Sequence, residues 1–151
     1  MADPTTAHDV AVRFRQLSIA AQIGLRGNPD DPAFLDGVRQ VLDFDLPTVP
    51  NIVNASGNVR ILWLGPDEWL IAADDGAAAD LVGGLEASLD GHHVSIVDLS
   101  ASRTVFELSG PQARSVLEKG CLLDLHPRVI APGQCAGTII AQTQVYLEQT
   151  D

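Results

Sequence analysis

Lysine is nearly absent from this chain of 151 residues, and positive charge in general is scarce. Lys119 is the only lysine, and nine basic residues stand against twenty acidic ones, which gives a net charge of −11 and a pI near 4.5. Such a chain repels phosphate backbones and anionic lipid surfaces, so we expect no nucleic-acid partner and no membrane-surface role. The negative charge either serves solubility or attracts a basic partner surface.

Cysteine is also rare, and long apolar runs are missing. Cys121 and Cys135 alone cannot make a disulfide framework. Residues 1–9 are polar and lack the basic stretch and apolar core of a signal peptide, and no apolar run is long enough to span a bilayer. We therefore expect a cytoplasmic protein whose two thiols are reduced.

The sequence lacks the motifs that bind nucleotides or present a nucleophile. No Gly-x-Gly-x-x-Gly follows a strand, and neither a P-loop nor a Gly-x-Ser-x-Gly elbow is present. One tyrosine, two tryptophans and four phenylalanines offer little material for stacking nucleobases. A self-contained nucleotide, dinucleotide or hydrolase site is therefore disfavoured.

Three weaker groupings of chemically active residues have ordinary explanations. Adjacent His92 and His93 would point to opposite faces of a strand, so they do not converge on a metal. The group Cys121, His126 and Cys135 lacks the short Cys-x-x-Cys spacing of structural zinc sites. A serine, a histidine and an aspartate for a hydrolase triad could be drawn from Ser100, Ser102, Ser109, His92 and Asp98. Structural hydrogen bonding explains these residues better. We predict no catalytic, cofactor-binding or metal-binding residue in this chain.

The hydrophobic pattern alternates between the strand period and the helix period. We expect a flexible tail at residues 1–10 and a single domain at 11–151. Strands are predicted at residues 15–25, 59–64, 69–73, 94–99, 104–108, 134–141 and 144–148. Helices are predicted from 31–32 to a point before 46–47, over 74–89 and after 110–111, and a loop covers most of 48–57. This order indicates an α+β fold with mixed, largely antiparallel sheets and helices packed on one face.

Local signals support two of these elements in particular. Asp31 and Pro32 are typical of a helix cap and first helical position, and an apolar stripe follows them at helical spacing: Phe34, Leu35, Val38, Val41 and Leu42. Trp63 and Trp69 flank the turn at Gly65 and Pro66. These tryptophans either pack into the core or anchor an interface.

The short third helix, after residues 110–111, is expected to turn Ala113, Val116 and Leu117 toward the core. The final hairpin ends close to Asp151, and no helix follows to cover it. Because an uncovered strand edge promotes association, we expect that a partner covers this hairpin or that the sequence lacks a C-terminal strand and helix.

Two segments carry a resemblance to a known family. One is Ile-Leu-Trp-Leu-Gly-Pro-Asp-Glu-Trp-Leu at residues 61–70. The other is Val-Asp-Leu-Ser-Ala-Ser-Arg-Thr at 97–104, continued by Leu-Ser-Gly-Pro-Gln-Ala at 108–113. In this order they resemble the gamma subunit of heterotetrameric sarcosine oxidase. The pattern is also similar to the folate-binding aminomethyltransferase fold of glycine cleavage, and it covers the chain from about residue 17 onward.

The resemblance implies a non-catalytic structural and assembly subunit of a four-subunit oxidase. That complex demethylates sarcosine to glycine and yields hydrogen peroxide together with 5,10-methylenetetrahydrofolate, or formaldehyde when folate is absent. By the same resemblance the partners are the alpha, beta and delta subunits. They carry FAD, FMN, NAD, tetrahydrofolate and zinc, and this chain carries no cofactor.

Two other functions compete with the assembly subunit. One is an independent folate-dependent one-carbon transferase, and the other is a generic interaction module. The transferase family uses an arginine-aspartate folate signature, whereas here Arg103 is followed by Thr104. An ordinary ion pair or interface contact is the better expectation for this arginine.

Overall fold

The structure is a computed structural model that describes residues 10–17 and 21–150. These residues form nine strands and three helices, which are, in chain order, β1 (Arg13–Gln16), β2 (Ala21–Arg26), α1 (Pro32–Leu42), β3 (Val53–Ser56), β4 (Val59–Gly65), β5 (Glu68–Ala73), α2 (Ala78–Ser88), β6 (Ser95–Asp98), β7 (Phe106–Ser109), α3 (Ala113–Leu117), β8 (Gln134–Ile140) and β9 (Thr143–Gln149). None of these helices is both long and apolar enough to cross a bilayer.

The strands form three separate sheets, and every pairing among the described strands is antiparallel. The largest sheet has five strands in the order β3-β4-β5-β2-β6, while β1 pairs with β7 and β8 pairs with β9. The α+β class predicted from the sequence, with largely antiparallel sheets, is thereby confirmed.

Helices α1 and α2 cover one face of the five-stranded sheet. Strand residues alternate between the faces, so every second side chain meets the helices. The main core is made of buried residues from both layers, namely Ile23, Leu25, Phe34, Val38, Leu42, Leu46, Ile61, Trp69, Ile71, Leu85 and Leu89. The apolar stripe predicted for α1 faces this core, with Phe34, Val38 and Leu42 buried.

Small residues allow the two helices to pack closely. Gly37 of α1 lies against the end of α2, where its carbonyl accepts a hydrogen bond from the Ser88 hydroxyl at 2.8 Å. A Cβ on Gly37 would stand 2.6 Å from a methyl carbon of Leu89. A side chain at position 37 would therefore have to displace Leu89 or move the two helices apart.

The start of α1 agrees with its sequence signal. The Asp31 carboxylate accepts a hydrogen bond from the Ala33 backbone N–H at 2.9 Å, and Pro32 occupies the first helical position. The Asp31 side chain therefore satisfies one of the backbone donors that every helix leaves free at its N-terminus. At its other end the helix stops at Leu42, after which Asp43 adopts a left-handed conformation with φ of 64°.

The β8–β9 hairpin is joined to the face of the sheet opposite the helices. Cys135 of β8 packs with Leu62 and Leu70 in a second, smaller core. Ile52 bridges Gln134, and Arg60 of β4 makes an ion pair with Glu148 of β9. The hairpin is thus fixed to the central sheet by apolar, backbone and charged contacts.

Three local expectations from the sequence are wrong. The strand expected at residues 15–25 is two strands in different sheets, because β1 pairs with β7 whereas β2 pairs with β5 and β6; Ile19 lies outside the described residues. The loop expected at 48–57 contains β3, which pairs with β4 across a turn where Gly57 has φ of 56°. Val116 of α3 is exposed instead of facing the core.

Candidate interaction surface

The two adjacent histidines that precede β6, His92 and His93, have different surroundings. His92 lies 3.2 Å from the carboxylate of Asp31, measured from Nδ1 to Oδ2, and so supports the cap of α1. His93 is exposed. Among the described residues, no group of three His, Cys, Asp or Glu side chains is arranged to hold a metal ion.

The two cysteines have different environments. Cys135 is buried, and its Sγ donates to the Trp63 carbonyl at 3.3 Å. Burial raises the pKa of the Cys135 thiol to about 11, and the negative charge of Glu148 raises it in the same direction. Cys121 is partly exposed and lies 3.7 Å from the Thr138 hydroxyl. Burial and the raised pKa both oppose nucleophilic reactivity at Cys135.

The serines near Asp98 make local structural hydrogen bonds. The Ser100 hydroxyl donates to the Asp98 carboxylate at 2.6 Å and accepts from the Gln22 backbone N–H at 3.0 Å. The Ser100 hydroxyl and backbone N–H both donate to Asp98, and they hold the pKa of its carboxyl below the ordinary value. Ser102 donates to the Leu99 carbonyl. His92 contacts Asp31 and not this group, so the structure does not bring His92, Ser100 and Asp98 together as a triad would require.

The two tryptophans belong to the core. Trp69 is fully buried, and its Nε1 donates to the Pro47 carbonyl at 2.8 Å. Trp63 is partly buried and packs against the same core. The structure therefore favours the core explanation over the interface one.

Charge is distributed unevenly between two parts of the molecule. Residues 21–98, which contain the five-stranded sheet with α1 and α2, hold thirteen acidic and three basic residues, a net charge of −10. Residues 10–17 and 99–150, which contain β1, β7, α3 and the β8–β9 hairpin, hold four acidic and six basic residues, a net charge of +2. We call these parts the helix–sheet part and the ribbon–hairpin part.

Large exposed hydrophobic residues concentrate in the ribbon–hairpin part. Seven of the nine that the described residues contain lie there, and they are Val10, Phe14, Phe106, Val116, Leu122, Val129 and Ile139. The helix–sheet part has only Val49 and Val97. Exposed apolar surface without strong net charge is typical of a surface that binds another protein.

The most prominent feature of this surface is the two-stranded ribbon of β1 and β7. Phe14 is 66% exposed and Phe106 is 53% exposed, yet their rings stack on each other with centroids 5.0 Å apart. Phe14 lies opposite Leu108 in the register and Gln16 lies opposite Phe106, so both rings are on one face. We call β1, β7 and this ring pair the aromatic ribbon.

A cavity of about 430 Å³ lies beside the end of β7, at Leu108 and Ser109. Leu108, Leu117 and Leu147 line it, together with Arg114 and Glu148, and the Nη2 atom of Arg114 donates to Gln149 at 3.4 Å. The Nη1 atom of Arg114 is buried there without a hydrogen-bond partner. A buried donor without a partner carries a desolvation cost that an acceptor from another molecule would remove.

The sequence patterns did not single out Phe14 or Phe106. A signal does exist, since Phe14 stands between Arg13 and Arg15, an arrangement that places an aromatic ring and two cations on opposite faces of a strand. An ordinary ion pair or interface contact is the expectation for Arg103, and the structure places its guanidinium 5.2 Å from the centroid of the Tyr146 ring. Its Nη1 atom is buried without a hydrogen-bond partner.

Comparisons with known proteins identify relatives over nearly the whole chain. The model of the "Sarcosine oxidase, gamma subunit family" matches residues 26–151. The sarcosine oxidase subunit gamma of an Arthrobacter species is 39% identical over 151 residues, which cover 99% of this chain and 72% of that protein. The corresponding subunit of Corynebacterium sp. strain P-1 is 38% identical with the same coverage.

Two solved structures resemble the fold. A chain of the heterotetrameric sarcosine oxidase from Corynebacterium sp. U-96, in complex with pyrrole 2-carboxylate, has a TM-score of 0.86 and 34% identity over 96% of this chain and 73% of that one. The glycine cleavage system aminomethyltransferase T from Bartonella henselae has a TM-score of 0.63 and 19% identity over 85% of this chain and 36% of that one. The second likeness concerns the fold alone, and it confirms the aminomethyltransferase-like architecture expected from the sequence. Because the family model and relatives above 30% identity agree over most of the chain, this protein belongs to the sarcosine oxidase gamma subunit family.

Proposed function

We propose that this chain is a non-catalytic assembly subunit of a heterotetrameric sarcosine oxidase in the cytoplasm. The observation that carries the proposal is the ribbon–hairpin part, where seven large hydrophobic residues are exposed and net charge is close to zero. A surface of this kind is stabilised when another protein covers it. The similar chain of known structure comes from an oxidase described as heterotetrameric, which supports this assignment.

The other subunits, alpha, beta and delta, supply the chemistry under this proposal. They hold FAD, FMN, NAD, tetrahydrofolate and zinc, and the complex converts sarcosine to glycine with release of hydrogen peroxide. In this chain the residues of chemical interest serve the fold. Cys135 fills the second core, Ser100 connects β2 to Asp98, and His92 contacts the cap of α1.

Purification of the assembled oxidase through a tagged alpha subunit tests the assembly role. We expect this chain in the purified complex at one copy per alpha subunit, identified by mass spectrometry. Alanine at His92, His93, Ser102, Cys121 or His126 should leave sarcosine turnover at equal assembly nearly unchanged, because none of them belongs to a plausible catalytic constellation within this chain. A loss beyond about a hundredfold, the lower range for removal of a proton-transfer group, would contradict the non-catalytic role.

Titration calorimetry with tetrahydrofolate, FMN and FAD separates the assembly role from an independent folate-dependent transferase. We expect no saturable binding to this chain, because no glycine-rich phosphate cradle is present and the net charge of −11 opposes anionic cofactors. Stoichiometric low-micromolar binding of tetrahydrofolate would favour the transferase instead.

A further inference from the structure

Aspartate followed by glycine occurs three times in this chain, and two of the three pairs lie in exposed turns at the ends of α2. Asp75 and Gly76 precede the helix, while Asp90 and Gly91 follow it. The third pair, at positions 36 and 37, lies inside α1. An Asp-Gly pair is chemically distinctive, because glycine has no side chain to separate the aspartate carboxyl from the next backbone nitrogen.

The two exposed pairs have the same backbone geometry. Residues 74–77 and 89–92 each form a turn in which the fourth N–H donates to the first carbonyl, at 3.2 and 3.0 Å respectively. The glycine is the third residue of each turn, with φ of 88° at Gly76 and 80° at Gly91. A positive φ at this position is typical of a type II turn, in which the hydrogen bond closes around the two central residues and does not use their N–H groups.

The backbone nitrogens of Gly76 and Gly91 are accessible. Among the described residues, neither N–H group donates a hydrogen bond to another protein atom. A Cβ added to either glycine would have no atom within 4 Å, so open space surrounds both. Gly37 differs in both respects, because the helical ladder of α1 engages its N–H and an added Cβ would stand 2.6 Å from Leu89.

We propose that the two exposed Asp-Gly turns are modification sites, at which Asp75 and Asp90 convert spontaneously to isoaspartate. The glycine nitrogen attacks the carbon of the protonated side-chain carboxyl, a C–N bond forms, and the carboxyl hydroxyl leaves as water with the amide proton. Water then opens the resulting succinimide ring. Attack at the side-chain carbonyl restores aspartate, whereas attack at the main-chain carbonyl leaves the chain running through the side-chain carbon and frees the main-chain carboxyl. Water is lost and regained, so the reaction needs no oxidant and no co-reactant.

Isoaspartate adds one methylene group to the main chain at either end of α2, where the turns connect the helix to its neighbours. In the first turn, the Asp74 carbonyl accepts hydrogen bonds from the N–H groups of Ala77 and of Ala21 in β2. Directly after the second turn, His92 contacts Asp31 at the cap of α1. A longer main chain displaces these groups, so the modified protein should melt at a lower temperature than the unmodified one. The proposal does not depend on the assembly role.

Peptide mapping of the full chain after prolonged incubation at neutral pH tests the proposal. In water enriched in heavy oxygen, each ring opening leaves one heavy oxygen atom in the residue, and electron-transfer fragmentation distinguishes isoaspartate from aspartate. We expect isoaspartate to form at positions 75 and 90 at least about tenfold faster than at position 36, because ring closure inside a helix requires local unfolding. In urea the three positions should react at similar rates, since the difference arises from the folded structure.

Asp75→Glu and Asp90→Glu keep the charge but add a methylene group to the side chain, which disfavours ring closure. Each variant should lose the modification at its own position and keep it at the other. Asp80→Glu is the matched control, because Asp80 is also exposed but is followed by Leu81, and it should change neither rate. Equal rates at position 36 and in the turns of the folded chain would overturn the proposal, as would unmodified turns under conditions in which the unfolded chain converts.

Discussion

Several residues that could be taken for catalytic groups in the sequence make contacts in the structure that stabilise the fold. The Ser100 hydroxyl donates to Asp98, and it also accepts a hydrogen bond from the backbone N–H of Gln22 in β2. His92, which is close to them in the sequence, contacts Asp31 at the cap of α1 instead. Cys135 is the clearest case, because its thiol is buried and contacts the backbone carbonyls of Ile52 and Trp63. Burial disfavours the charged thiolate and therefore reactivity.

The pKa of about 11 for Cys135 leads to a prediction about alkylation. In the folded protein at pH 8, the raised pKa keeps the Cys135 thiol in its neutral form, and burial blocks access to the reagent. Iodoacetamide should therefore modify Cys121 at least about tenfold faster than Cys135. Peptide mapping by mass spectrometry measures both rates.

The pH dependence and the unfolded chain provide the controls for this prediction. Burial raises the pKa of Cys135 in the folded state above that of the unfolded chain. Its contribution to the free energy of unfolding is therefore fully present below the ordinary thiol pKa and is lost as the pH rises through about 11. The alkylation rate of Cys135 should thus increase steeply between pH 8 and 10. In urea the two cysteines should react alike. Equal rates in the folded protein at pH 8 would contradict the assignment of a buried thiol.

At the scale of elements, the sequence predicted what depends on neighbouring residues. Asp31, Pro32 and the spacing of Phe34, Val38 and Leu42 define α1 because cap and stripe are local features. The β4–β5 hairpin was predicted for the same reason. The break between β1 and β2 was missed, because hydrophobic alternation continues across it and the distinction depends on distant partners: β7 for one strand, β5 and β6 for the other.

The contact between α1 and α2 allows a paired test of packing. Gly37→Ala should lower the free energy of unfolding by about 1–2 kcal/mol, because the new methyl group would stand 2.6 Å from Leu89 and 3.3 Å from the Ser88 carbonyl oxygen. Alanine favours a helix by about 1 kcal/mol over glycine, so this clash must exceed the gain. Urea denaturation followed by circular dichroism gives the free energy.

Gly83→Ala is the matched control, because Gly83 is an exposed position inside α2 where an added Cβ meets no atom within 4 Å. This variant should gain up to about 1 kcal/mol from helix propensity alone. The opposite signs of the two variants separate packing from propensity. A stabilising Gly37→Ala would show that the helices can move apart at little cost and would contradict the close packing described for α1 and α2.

At the scale of the whole molecule, the candidate surface could be predicted only in part. Composition showed a net charge of −11 but not that it lies almost entirely in residues 21–98 once the elements are grouped in space. Phe14 and Phe106 are separated by more than ninety positions in the sequence, so only the pairing of β1 with β7 brings their rings together. Surface patches made by long-range strand pairing cannot be found from local periodicity.

The uneven charge also predicts how salt affects stability. Thirteen acidic and three basic residues share the helix–sheet part, so repulsion among carboxylates opposes folding at low ionic strength. The screening length falls from about 30 Å at 0.01 M salt to about 8 Å at 0.15 M, so added sodium chloride should raise the melting temperature by several degrees over this range.

Asp80→Asn combined with Asp90→Asn, both at exposed positions, should raise the melting temperature at 0.01 M salt and reduce its salt dependence. Scanning calorimetry measures these shifts. A melting temperature that falls or stays constant as salt is added would show that the surface ion pairs, such as Arg39 with Asp45 and Arg26 with Asp67, outweigh the repulsion.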